Sequence, residues 1–386
     1  MSYFTPANPL CQQEADGLVE RVTEAILCRL GAAEVVSVLL IGSLARGEGV
    51  WKSGPMCPAI QSDLDLFVVT RWQRRVPNLL RSDLERLERE SGVSVDVRLA
   101  PRPRLCLYPK TVGVLDIYEH HDLLFGPEPT RWLPRVDADA LDHKDIAYSF
   151  FNEVILSVAE LSPVDLTASD QDSLSRLSYR ATKTLFTCAG MMCLHRGCYR
   201  PTMSGRIALV AAEKQVPLAD DGGVFLEDLR SAYAFRFEEP DVRYLPGALA
   251  SWHRARNYLV EAYRQSLDAE YGTRDVTAYP RLTLRDMPPT EWVRDLYGRF
   301  LTTRSALRVG RIPWWSGWTS PSTCCRMAAL MLYLALDEQL DGRRVLQADA
   351  YLSRLYRRRP SANDGLEAVW TRLRDELMTL HQDGVF

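Results

Sequence analysis

The stretch from Val35 to Thr70 constrains the fold more than any other part of the chain. It holds two apolar runs with the look of buried strands, VVSVLLIG and DLDLFVV. The first ends in Gly42-Ser43, and the second carries Asp63 and Asp65 one residue apart. Successive strand side chains point to opposite faces, so both carboxylates fall on one face and Leu64, Leu66 and Val68 on the other. Two carboxylates held close together repel unless a cation lies between them, and oxygen-only ligation is what Mg²⁺ prefers. Gly42 permits a tight turn and a close approach of backbone to a ligand. Ser43 then opens a short helix, LARGE, whose free N–H groups suit a phosphate. The stretch reads as a phosphate cradle beside a divalent-metal pair.

The text GSLARGEG…SDLDLFVV resembles the nucleotidyltransferases of the DNA polymerase β superfamily, in the small-molecule branch of aminoglycoside adenylyltransferases and minimal nucleotidyltransferases. The resemblance covers roughly residues 15 to 130. It implies a third carboxylate on a later strand, and VSVDVRLA supplies Asp96 on the polar face of an alternating pattern. It further implies Mg²⁺ as cofactor, held by Asp63, Asp65 and Asp96, and a nucleoside triphosphate held by Gly42, Ser43 and Arg46. The implied reaction moves a nucleoside monophosphate, AMP from ATP, to a hydroxyl or similar group of a small molecule. Asp96 either completes the metal site or serves as general base, with Glu153 as the other candidate base. One departure stands out. Ser43 and Asp63 lie twenty positions apart, farther than in the family, and the extra text VWKSGPMCPAI is Gly/Pro-punctuated and reads as a loop.

Hydrophobic residues make up 46% and charged residues 25% of the 386, the proportions of a soluble globular protein with room for two or three domains. A formal net charge of −3 argues against a general nucleic-acid binder. The nine cysteines form no CxxC pair, which fits reduced thiols in a cytoplasmic protein. Cys188, Cys193 and Cys198 near His195 lack zinc-ligand spacing and read as packing residues. The start, MSYFTPANPL, has no signal-peptide pattern, and the longest apolar runs are too short to span a bilayer.

In chain order, Gln12 to Leu30 reads as an amphipathic helix with Leu18, Val19, Val22, Ala25, Ile26 and Leu30 inward. Arg74 to Gly92 reads as another, with an apolar stripe of Leu79, Leu80, Leu84 and Leu87. Residues 1–137 form the expected α/β (α+β) nucleotidyltransferase domain with a mixed sheet. His120 and His121 in it read as surface or packing residues. All-helical regions follow: a bundle over 138–272, a linker over 273–289 and a second helical region over 290–386. On the helix Asp172–Leu194, Arg176, Arg180 and Lys183 make a basic stripe at i, i+4 and i+7. The resemblance implies that Arg180 and Lys183, with Arg176 behind them, bring cations to the triphosphate. Trp314, Trp315 and Trp318 either stack on a planar ligand or pack a loop on the core. DDGG at 220–223 and EEP at 238–240 offer acidic text for an aminoglycoside acceptor, although nothing ties them to the cleft. Two rival classes remain: a non-catalytic regulatory member of the fold, and an enzyme that nucleotidylates a protein or RNA.

Overall fold

The structure, a computed structural model, describes residues 3–5, 7–53, 59–72, 75–141, 143–212, 223–239, 241–278, 321–337, 339–356 and 365–382. It is a mixed α/β chain whose described residues hold a four-stranded sheet and a two-stranded ribbon toward the N-terminus and many helices after them. Among the described residues, no helix is long and apolar enough to cross a membrane. Two compact units share the chain, and they do not follow chain order. The first is built from Met1–Asp145 and Met192–Arg243, the second from Ile146–Met191 and Tyr244–Phe386.

The first unit starts with α1, Pro9–Leu30. Asn8 caps it, its side-chain oxygen accepting from the backbone N–H groups of Leu10 at 3.0 Å and Cys11 at 3.1 Å. Pro9 fits the first turn, where its missing N–H is not needed. The helix therefore begins before Gln12, and Cys11 and Ala15 join Leu18, Val19, Val22 and Ile26 in the core. Strand β1 is Val35–Ile41, and Gly42–Ala45 after it form a single helical turn, α2. Two-residue strands β2, Trp51–Lys52, and β3, Ala59–Ile60, pair antiparallel. A β-ribbon thus occupies part of the stretch expected as loop.

Strand β4 is Leu64–Thr70, α3 is Asn78–Ser91, β5 is Val95–Pro101, α4 is Val112–Glu119 and β6 is Asp122–Phe125. The sheet order is β5-β4-β1-β6, with β4 and β5 parallel and the other pairs antiparallel. α1 and α3 cover one face, where Val38, Leu40, Leu64, Leu66, Val68, Val95 and Val97 join one core with Leu80, Leu84 and Leu87. Leu79 is outside that stripe at 67% exposure, because the i, i+4, i+7 set that meets the sheet starts at Leu80. The opposite face is not uniformly polar. Past Asp65, Phe67 and Val69 are buried as well, and the Tyr108 ring packs edge-on against Phe67.

The helical chain continues with α5, His143–Glu160, α6, Pro163–Thr167, and α7, Gln171–His195. α8, Met203–Ala212, and α9, Gly223–Tyr233, return to the first unit. α10, Ala248–Tyr271, and the helices Pro321–Ala335, Gly342–Tyr356 and Leu366–Gln382 belong to the second. In it, Phe150 stacks on Tyr263 with centroids 4.0 Å apart, and Trp252 meets Tyr333 edge-on. Residues 290–320 of the expected second helical region, with the tryptophans 314, 315 and 318, and the acidic pair Asp220-Asp221 lie outside the described residues.

Candidate active site

Sheet register brings the carboxylates together. Ile41 pairs with Asp65 across β1 and β4, and Asp65 pairs with Asp96 across β4 and β5. Residues directly opposite in a sheet project to the same face, so Asp65 and Asp96 stand side by side there. Asp63 precedes Asp65 by one alternation, on the same face. Gly42 follows Ile41 and closes this end of the row. Its φ is +76°, a left-handed conformation that favours glycine, and a Cβ there would collide with the Asp65 carboxylate. The cradle and the carboxylate expected to work beside it are thus in contact.

Asp65 is partly buried, whereas Asp63 and Asp96 are exposed. Burial pushes the Asp65 carboxyl up to about 6; Arg98 opposes the shift, Asp63 and Asp96 add to it, and Arg46 opposes it weakly. Two arginines do not offset desolvation and two like charges, so this carboxylate is short of positive charge. Arg98 donates from Nε to Asp96 at 2.9 Å. Ser43 sits on α2, half-buried, and its carbonyl accepts from Glu48 N–H at 2.9 Å.

No protein-family model matches the chain, and no curated protein matches its sequence.

Among the described residues, no three His, Cys, Asp or Glu side chains gather as a ready ion cage. The exposed Asp96, expected as a third ligand, is ion-paired with Arg98 at 2.9 Å. The oxygen-only set of Asp63 and Asp65, with one carboxyl held above its ordinary range first by burial and then by its like-charged neighbours, still fits a hard divalent cation that keeps waters and phosphates in its shell.

Sequence reasoning missed Asp116. It projects from α4, where Val114, Leu115 and Ile117 are buried. Its Oδ2 lies 3.7 Å from Arg46, and its Oδ1 is buried with no hydrogen-bond partner among the described residues. Burial raises its carboxyl, against the pull of Arg46, Arg206 and a hydrogen bond from Tyr199. An acid flanked by apolar residues in VLDIY was the available signal. Arg46, which also donates from Nε to Glu48 at 3.1 Å, is shared between the fields of Asp65 and Asp116.

The basic stripe on α7 has local partners in the second unit. Arg176 donates to Asp165 from Nε at 2.9 Å. Arg180, 2% exposed, is ion-paired with Glu153 and with Glu160, the latter at 3.2 Å. Lys183, half-buried, stands 5.6 Å from the Tyr179 ring. Glu153 is buried and also accepts from Thr184 at 2.7 Å and Thr187 at 3.2 Å. Arg180 and Glu153 thus read as a buried structural pair. His121, expected as a surface or packing residue, bridges the Ile117 carbonyl and Glu128 at 2.7 and 2.9 Å. Cys188 and Cys193 are buried and Cys198 is partly so, all with free thiols.

Proposed function

We propose that the chain is a Mg²⁺-dependent nucleotidyltransferase of the polymerase β-like class, moving AMP from ATP to a hydroxyl of a small molecule. The observation that carries this reading is the contact between Gly42 and Asp65: one turn presents its backbone where the crowded carboxylate row begins. Asp63 and Asp65 hold the metal, and Gly42, Ser43 and Arg46 face the phosphates. When bound, Mg²⁺ supplies neutralisation of the charge that develops on the phosphates.

The acceptor oxygen attacks the α-phosphorus, the new O–P bond forms as the bond to the β-phosphate oxygen breaks, and pyrophosphate leaves. Asp96 takes the acceptor proton, held in place by Arg98 at 2.9 Å. Glu153 is set aside as base because its carboxylate already serves Arg180, Thr184 and Thr187. The remaining contribution is alignment and preorganised charge, which supplies most of the catalysis in such displacements.

A thermal-shift panel of ATP, GTP, CTP and UTP with Mg²⁺, on the wild type and on Asp63→Ala/Asp65→Ala, tests the site. A nucleotide at about a hundredfold its Kd adds about 2.7 kcal/mol to stability. A Mg²⁺-dependent shift with ATP, absent in the double variant relative to its own baseline, is expected. No shift with any nucleotide overturns the reading, and a shift with another nucleotide alone replaces ATP as donor.

A further inference from the structure

A second concave site lies at the far end of the same strands. Arg71 and Trp72 directly follow β4, and Arg102 directly follows β5. Because β4 and β5 are parallel, both chain ends leave the sheet at one edge, the edge where open α/β sheets receive ligands. Arg131 and Trp132 reach it from the turn Thr130–Trp132. With Cys106 they line an open cavity of about 770 Å³ inside the first unit. That volume suits a nucleotide-sized ligand. Six residues separate Asp65 from Arg71 and Asp96 from Arg102, about 20 Å of strand. One triphosphate does not serve both ends.

The lining holds three arginines and no carboxylate. Among the described residues, none of those arginines is ion-paired; the Glu34 carboxylate accepts from the Trp72 backbone N–H at 2.7 Å, so three cations on the lining stand against one neighbouring carboxylate. Arg102 and Arg131 lie over the Trp132 ring at 4.4 and 4.6 Å, which holds both guanidinium groups at this one lining residue. Trp72 is 72% exposed, an unusual state for a large aromatic. It leaves a free stacking face beside a cluster of planar cations, whose fork geometry matches phosphate oxygens. The formal charge of the chain is −3, and this compact cluster is no extended track for a polyanion.

We propose that this cavity binds a nucleoside monophosphate, its base stacked on Trp72 and its phosphate held by Arg71, Arg102 and Arg131. The site stands apart from the carboxylate row and needs no metal. On the reading of the carboxylate row as a transferase site, the chain would hold one nucleotide as reactant and a second, at this distance, as effector.

Titration calorimetry with AMP, adenosine and inorganic phosphate, each in EDTA, tests this on the full chain. AMP should bind at least about tenfold more tightly than either fragment, since a base stack and a phosphate clamp are each worth that factor. Trp72→Ala and Arg102→Ala/Arg131→Ala should each weaken AMP about tenfold, while Asp63→Ala/Asp65→Ala leaves it unchanged. Trp72, Arg102 and Arg131 are exposed, so these variants should melt with the wild type. Loss of AMP binding in the aspartate variant would mean that AMP occupies the carboxylate site, and it overturns the proposal. So do undetectable binding, phosphate binding as tightly as AMP, or binding of decathymidylate alone. AMP should also slow alkylation of the exposed Cys106, read by peptide mass, and an unchanged rate with AMP bound overturns the placement.

Discussion

Asp65 shows how a fold can hold a charge at a disadvantage. Its carboxyl sits at about 6 in the folded chain against an ordinary 3.8, so the folded state binds a proton that the unfolded state has lost in between. Stability therefore falls as pH rises from about 4 to about 6 and is level above that window, a loss on the order of 3 kcal/mol. Asp65→Asn removes the charge but keeps the shape. In EDTA it should be the more stable protein at pH 8, by about 3 kcal/mol, and match the wild type below pH 4. Urea unfolding at both pH values checks this; a difference independent of pH would show that Asp65 bears no such penalty. The carboxylate pair was legible in the sequence because alternation is local: the x in Asp-x-Asp fixes the face. That Gly42 touches Asp65 was not legible, since it depends on antiparallel register between strands over twenty residues apart.

At the scale of elements, the helices were readable from their apolar periodicity and the basic stripe on α7 was readable as a pattern, but not for its partners. Arg180 and Glu153 are 27 residues apart on two helices, and no spacing rule joins them. A buried ion pair costs most when half of it is removed, because the other charge stays desolvated. Arg180→Ala should lose about 3–5 kcal/mol, while Arg180→Met/Glu153→Met should recover more than half of it. Urea midpoints of the two variants decide between this structural pair and a phosphate-binding arginine. A fully stable Arg180→Ala would restore Arg180 as a ligand contact.

At the scale of the whole molecule, the long spacing between Ser43 and Asp63 acquires a purpose. Residues 192–243 return to the N-terminal unit after α5, α6 and most of α7 have gone to the other. Text within that spacing holds them there. Glu48 accepts from the Met203 N–H at the start of α8. Lys52, on the β2–β3 ribbon, donates to the carbonyls of Phe235 at 3.1 Å, Glu239 at 3.3 Å and Val242 at 3.0 Å, and lies over the Phe235 ring. Such contacts between distant segments are invisible to composition, which sees only a Gly/Pro-rich interruption. Charged hydrogen bonds of this kind contribute about 1.5–3 kcal/mol each when their partners are otherwise unmet. Carbonyls that regain water return part of that, so Lys52→Ala should cost about 2–3 kcal/mol. The loss should be local first: amides of α9 and of the turn Ala234–Glu238 should exchange faster, while those of β1 and β4 keep their protection. Uniform acceleration across the unit would make Lys52 part of its global core, and no acceleration would leave some other contact to explain why this segment returns.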